Sequence, residues 1–419
     1  MVTTPDVDAD SASVSGTPHT HASVVTKSAV VLLGMTALLN LYSTQPILGE
    51  IAAWAHIPTT DAAWTISMTT AGVAITAPFA GMLSDRIGRR RVILVAVAAM
   101  AVLTLAALTS WSYPALLAFR CAQGMCCPFV FAVVVAYVGE EFEPPTASTL
   151  NALYVAGTAL GGFSGRMVAA VLSDWAGGWR LSFLGNTVIL AVTLAVTYWG
   201  LPPERQFIRT VDRGVGGFFV NAGRLLRKPR IVMTVLVGFA LLFQQVASFT
   251  FATLALKQPP FGLSTSTIGL IFVVFLIPTV TTPRFGKLMD KWGPRRAFVA
   301  SQGVSVGGLV LTLFPTIPTV IIGLALSCVG VFAGQAAGTL MVGRLATGAR
   351  STGVGLYLTG YYVGGAIGGV APISFYSAAG WTAVVFVVLC VVLCAAAMGW
   401  WAWRPLGSQA TTTRSKQSC

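Results

Sequence analysis

The sequence predicts an all-α polytopic membrane protein, with twelve transmembrane helices forming two six-helix bundles related by pseudo-twofold symmetry. Three observations predict it. Of 419 residues only 9% are charged and 55% are apolar, with 44 glycines besides; a soluble domain carries roughly 25% charged residues. Charge-free stretches recur along the chain at spanning length, about 20 residues being enough to cross roughly 30 Å of hydrocarbon. Two short motifs each occur twice at nearly the same offset. This composition argues against an ordinary cytosolic enzyme, a nucleic-acid binder and a disordered chain.

In chain order the spans fall near 28–49, 62–83, 92–109, 115–138, 146–170 and 182–200, then 231–255, 265–285, 297–314, 318–340, 352–374 and 381–403. Two long charge-free runs divide at proline or glycine clusters: 297–343 between Pro315 and Pro318, and 351–403 around 377–380. The organisation is a tail (1–27), a first bundle (28–200), a basic linker (201–230), a second bundle (231–403) and a second tail (404–419). The linker carries Arg205, Arg209, Arg213, Arg224, Arg227, Lys228 and Arg230, with room for one short amphipathic helix. The first 26 residues, rich in Ser, Thr and Asp, predict disorder and lack the basic n-region of a signal peptide.

Orientation follows from charge. With both termini in the cytoplasm, all but four of the 26 Lys and Arg lie on the cytoplasmic side. Arg180 and Lys257 fall outside, and Arg120 and Arg166 fall within spans. A missed or invented helix would blur this asymmetry, so it supports the topology too. The net charge of +13 therefore reads as loop charge facing a cytoplasmic leaflet. The eleven tryptophans lie at or near span ends, as interfacial anchors do. The seven cysteines form no paired CxxC motif and predict neither zinc site nor disulfide framework; no cofactor is implied.

The repeats carry the chemistry. Gly81, Asp85, Arg86, Gly88, Arg90 and Arg91 recur 205 residues on as Gly286, Asp290, Lys291, Gly293, Arg295 and Arg296, with Arg89 opposite Pro294, and each copy joins the second and third helices of its half. Gly81 and Gly286 would permit close helix approach. Asp85 and Asp290 are carboxylates at a helix end, able to cap the positive N-terminus of a helix in the opposite half. Those helices start near 352 and 146, and such caps would latch the cytoplasmic side shut. The second repeat aligns Tyr154, Gly157, Gly161, Gly162 and Gly165 with Tyr357, Gly360, Gly364, Gly365 and Gly368. The GxxxGxxxG stripe of Gly157, Gly161 and Gly165 lets two helices pack backbone to backbone, a role that can coexist with a part in sealing the path.

The 81–91 segment resembles the loop signature of the major facilitator superfamily, and 286–296 resembles its second copy. The likeness covers the whole chain. Leu116, Arg120, Gln123 and Gly124 resemble that family's fourth-helix motif. The Gly157 stripe resembles its antiporter motif, with Gly162 in place of the usual proline. Tyr42, Thr44, Gln45 and Pro46 resemble a branch of efflux permeases, the YnfM-like transport proteins. The resemblance implies two parallel repeats with a substrate site between them, proton antiport, and a proton-transfer or substrate role at Arg120.

A guanidinium inside a span costs at least roughly 2.5–3.5 kcal/mol unless it finds an interior place and partners. Arg120 lies too deep for easy snorkelling; Arg166, near the external end of its helix, is equally read as snorkelling or functional. Gln123 shares the Arg120 face. The remaining polar cavity candidates are Asn40, Tyr42, Gln45, Gln244, Gln245, Gln335, Tyr357, Tyr361 and Tyr362, each suited to substrate contact or to an interhelical hydrogen bond. No acid lies deep in a span. The titrating candidates for proton coupling are Glu50, Asp61 and Glu140, with Arg120; His19 and His21 fall in the tail. Two in-span cations without a deep anion fit an anionic or carboxyl-bearing solute. No GxxxxGK[ST] occurs, so ATP hydrolysis of that type is absent.

The reading is a monomeric inner-membrane secondary transporter, not an enzyme, moving a small molecule by alternating access as a proton-coupled exporter of a drug, sugar or metabolite. Its partners are substrate, proton and the lipid bilayer, with no nucleic acid. An alternative is a uniporter or importer of a small, anionic metabolite; a remoter one is a polytopic enzyme or sensor.

Overall fold

The computed structural model describes residues 19–205 and 215–404. Twelve long helices run through them: α1 (Val24–Ala55), α2 (Asp61–Ile87), α3 (Arg89–Leu108), α4 (Tyr113–Glu141), α5 (Pro144–Ala176), α6 (Arg180–Gly200), α7 (Pro229–Lys257), α8 (Thr265–Trp292), α9 (Pro294–Leu311), α10 (Ile317–Leu345), α11 (Arg350–Val370) and α12 (Ile373–Ala402). No β-strand occurs among the described residues. The apolar runs set the helix centres, while the helices continue a turn or so into the flanking charged residues. All but α9 and α11 are apolar enough to span on their own composition. α9 opens on Arg295 and Arg296, and α11 is rich in glycine and tyrosine.

Sequence punctuation explains the breaks. Pro46 has no N–H and its ring clashes with the carbonyl four residues back, so α1 leaves the α-helix after Tyr42, passes through a 3₁₀ turn at Gln45–Ile47 and resumes at Leu48. Gly88 (φ 107°) and Gly293 (φ 78°) turn the chain between α2 and α3 and between α8 and α9, in backbone conformations that suit glycine. The break expected around 377–380 appears as a kink at Ala379 and Gly380 inside α12, while α11 already ends at Val370, before Pro372.

The repeat is visible in the packing. A Cβ on Gly157, Gly161 or Gly165 of α5 would collide with the carbonyl oxygens of Val31, Met35 and Leu39 on α1. In the second bundle Gly364 and Gly368 of α11 press in the same way on Phe239 and Phe243 of α7, while Gly360 lies against the Val235 side chain. The glycine stripes thus give backbone-to-backbone contact twice. Outward-facing apolar side chains such as Val95, Val102, Phe386 and Leu393 stay more than half exposed, as a lipid-facing surface requires.

One face carries the outer ends of both bundles. Thr26 of α1 donates to the Gly200 carbonyl at the end of α6, and Arg230 of α7 donates to the Arg404 carbonyl after α12. The linker helix, Val215–Leu226, lies on this face, with Phe218 against Phe79 of α2. It is termed the linker face below, and the opposite one the far face. The tail is not wholly free: His19 pairs by main chain with Glu141 and Glu143, so the segment from His19 onward clasps the α4–α5 loop. Residues 1–18, 206–214 and 405–419 lie outside the described residues, and with them Arg209, Arg213, Cys419 and most of the expected tails.

Candidate substrate cavity and gates

The hydrogen bonds that join the two bundles, among the described residues, lie toward the far face. Glu50 of α1 forms an ion pair with Lys257 of α7 at 2.9 Å and accepts from the Thr265 hydroxyl of α8 at 2.7 Å. Asp174 at the end of α5 accepts from the Ser266 amide at 2.7 Å, within the first turn of α8, where the helix dipole is positive. Deeper, Gln45 donates to the Thr250 hydroxyl at 3.1 Å, and its carbonyl accepts from Thr253. Gln45 and Thr250 are 205 residues apart, within one residue of the α1–α7 correspondence set by the glycine stripes, so near-equivalent positions of the two halves meet here.

Beneath this seal lies a cavity of about 490 Å³ walled by both bundles. Its floor is Tyr42, Arg166 and Phe275; its sides include Phe131, Phe332, Gln245, Gln335, Tyr361 and Tyr362; it reaches Val135 and Val354, a turn or two from the linker ends of α4 and α11. The cleft therefore opens toward the linker face. Tyr361 donates to Gln335 at 3.0 Å, and Phe131 stacks on Tyr362 across the two bundles at 5.7 Å.

Of the expected cavity residues, Tyr42, Gln245, Gln335 and Tyr361 line it, and Gln45 stands behind its floor, bonded to Arg166. Five do not, and these are corrections. Arg120 is fully buried behind the wall and gives every nitrogen to a neutral acceptor: the Asn40 and Leu41 carbonyls at 2.9 and 2.8 Å, Gln123 Oε1 at 2.7 Å, Asn40 Oδ1, and the Thr65 carbonyl. Asn40 and Leu41 end the first segment of α1, where carbonyls lose their helical partners. Arg120 thus fastens the break at Pro46 to α2 and α4, with Asn40 and Gln123 as its partners. Gln244 turns to Ser327 at 3.0 Å, and Tyr357 packs into notches left by Gly238 and Gly338. Each of these side chains satisfies or buries its polar end between helices instead of in the cleft.

Arg166, read from sequence as equally able to snorkel, is the cation that faces the cavity. It is 2% exposed. Its Nε donates to Gln45 Oε1 at 2.7 Å and one terminal nitrogen donates to the Gly162 carbonyl. Its guanidinium carbon sits 4.7, 4.6 and 4.4 Å from the ring centres of Tyr42, Phe272 and Phe275. No carboxylate pairs with it among the described residues. A sequence signal existed: the arginine directly follows Gly165 of a packing stripe, which turns that helix face inward.

At the linker face Asp85 pairs with Arg89 at 3.0 Å, and Arg89 binds Glu140 of α4. Arg90 donates to the carbonyls of Tyr198 and Leu201 at the end of α6, and Arg86 is exposed. The first loop thus knits α2, α3, α4 and α6 together within one bundle. Neither Asp85 nor Asp290 caps the opposite helix in this conformation; α11 and α5 begin without a side-chain cap. A Cβ on Gly81 or Gly286 would meet nothing within 4 Å, so the expected close approach is not made here. In the second copy Lys291 and Asp290 stay exposed, and Arg295 stacks on Trp400. Among the proton-coupling candidates, Glu50 and Glu140 are ion-paired, while Asp61 lends its main-chain carbonyl to Tyr113.

The sequence profile of the Major Facilitator Superfamily matches residues 30–259 and 242–417. The chain is 29% identical over 363 residues to the MFS-type transporter YybF of Bacillus subtilis (strain 168), covering 86% of this chain and 89% of that one. It is 28% identical over 361 residues to the inner membrane transport protein YnfM of Escherichia coli (strain K12), covering 86% of each. Among solved structures it shares its fold with the nucleoside transporter NupG (TM-score 0.74, 13% identity, 90% of this chain and 100% of that one) and the human organic anion transporter MFSD10 (TM-score 0.67, 17% identity, 90% and 99%).

Proposed function

The chain belongs to the major facilitator superfamily of membrane transporters, and from that premise we propose that it exports a small molecule by alternating access, exchanging it for protons. The observation that carries this reading is the central cavity, walled by both bundles, closed beneath the far face and reaching toward the linker face. The basic linker and loops favour the linker face as the cytoplasmic one, with both termini inside an inner membrane. In that orientation the site is loaded from the cytoplasm, as an exporter's must be. Glu50 is the proton-accepting candidate because its carboxylate joins the two halves. A proton arriving from outside competes with Lys257 and Thr265 for it and weakens the far-face seal. In the opposite conformation Asp85 and Asp290 take up the helix caps that they lack here, closing the linker face. The acids and Arg166 serve this cycle without any cofactor, and one chain supplies both halves of the site, as a monomer requires.

The test is flux. A thermal-shift screen over drugs, sugars and organic acids identifies a ligand, and proteoliposomes loaded with it are subjected to a pH gradient, acid outside the cytoplasmic compartment. Efflux accelerates several-fold and protons enter as substrate leaves. Flux indifferent to the gradient excludes antiport in favour of uniport.

A further inference from the structure

Arg166 is 2% exposed, faces the cavity and has an unused edge. Of its three nitrogens, one serves Gln45 and one the Gly162 carbonyl. The second terminal nitrogen has no hydrogen-bond partner among the described residues. No carboxylate pairs with it among those residues: the far-face acids that join the bundles, Glu50 and Asp174, are engaged with Lys257 and with Ser266. A guanidinium in such surroundings carries a full positive charge against three ring faces and two neutral oxygens. Ring quadrupoles hold a cation in place, but they leave its net charge uncompensated. Arg120, by contrast, spends all three nitrogens on protein oxygens and does not reach the cavity. The two buried arginines therefore divide the work: one holds helices, the other is free to hold a ligand.

The surroundings of Arg166 restrict the ligand further. Tyr42 and Phe275, two of the rings that flank the guanidinium, make an apolar wall with Phe131, Phe332 and Leu242 higher in the cavity. Gln245 and the Tyr361–Gln335 pair are the neutral polar groups available farther from the cation. A strongly hydrated di- or trianion would find one cation and little else; a neutral sugar would leave that cation unpaired. We infer that the cavity selects an amphipathic monoanion, whose carboxylate or equivalent planar oxyanion lies on the free edge of Arg166 and whose ring or chain lies against the aromatic wall. The free terminal nitrogen, with the second proton of the one that serves Gly162, can meet both oxygens of one carboxylate. The cavity volume of about 490 Å³ suits a drug-sized molecule of this kind. The inference rests on the cavity being the transport site proposed above and names what that site prefers.

The test uses three probes sharing one frame: 2-naphthoate, 2-naphthamide and 2-naphthylmethylammonium. Binding to the detergent-solubilised full chain is measured by calorimetry, and uptake into proteoliposomes by counterflow. Wild type binds the naphthoate at least about tenfold tighter than the amide, and the ammonium weakest, as a charge-assisted bidentate contact dictates. Arg166→Gln brings the anion and amide affinities together, and Arg166→Lys, which keeps the charge but loses the fork, falls between. The wild-type series does not depend on either variant folding. Equal affinities for anion and amide in wild type, no measurable naphthoate binding, or an anion preference that survives Arg166→Gln overturns the inference. Naphthoate that binds with the expected preference but does not cross the membrane leaves the anion site standing and counts against the transport reading instead.

Discussion

Replacing Gly161 by alanine tests the backbone contact on which the bundle architecture depends. An exposed helical Gly→Ala change stabilises by roughly 0.5–1 kcal/mol, because alanine loses less backbone entropy. At Gly161 the sign reverses. A Cβ on Gly165, next along the stripe, would stand 2.5 Å from the Leu39 carbonyl oxygen, where ordinary contact begins near 3.4 Å. At Gly161 the approach to Met35 is closer still. The main chain of α1 cannot rotate aside as a side chain would, so α5 must retreat by about 1 Å along a contact shared with Gly157 and Gly165, an overpacking worth about 1–3 kcal/mol. At roughly 2–4 °C per kcal/mol for a unit the size of one bundle, the melting midpoint in detergent falls by several degrees. Gly364→Ala in α11, which faces Phe239 of α7 in the second bundle, falls by a similar amount. Gly303→Ala, on α9 with nothing within 4 Å of the added methyl group, melts at or slightly above the wild-type midpoint. A wild-type melting curve for Gly161→Ala, or an equal fall for Gly303→Ala, would refute the reasoning.

Glu50→Gln removes the ion pair with Lys257, whose side chains are about four-fifths buried. A loss of about 1 kcal/mol raises the ratio of far-face-open to far-face-closed molecules about fivefold. Spin labels at Thr59→Cys and Gln258→Cys, in a background without native cysteines, then report a longer distance component, and an unchanged distribution would count against the seal. Arg120→Gln strips charged hydrogen bonds worth about 1.5–3 kcal/mol each from the interior of one bundle, so it lowers the melting midpoint sharply; a stable variant that had lost only flux would return this residue to the transport machinery. Asp85→Asn keeps shape and insertion and leaves melting unchanged, because its partner here is Arg89 on the same surface, yet it slows flux by taking the negative charge away from the helix N-terminus in the opposite conformation. Full flux in that variant removes the latch.

Quantities that can be summed along the chain were legible in the sequence. Apolar runs fixed where the helices lie, because lipid accepts nothing else over that length. The spacing of Gly157, Gly161 and Gly165 predicts a backbone contact without knowledge of the partner helix, and a Cβ there would meet the α1 main chain. What only the tertiary structure decided is which way each polar side chain turns. Arg120 and Arg166 look alike in one dimension, as two cations in two spans. The rotation of α4 points the first at the Asn40 and Leu41 carbonyls where α1 breaks, and the packing of α5 against α8 points the second at an aromatic wall and a cavity. That difference depends on the mutual rotation of helices far apart in sequence, which no local pattern encodes.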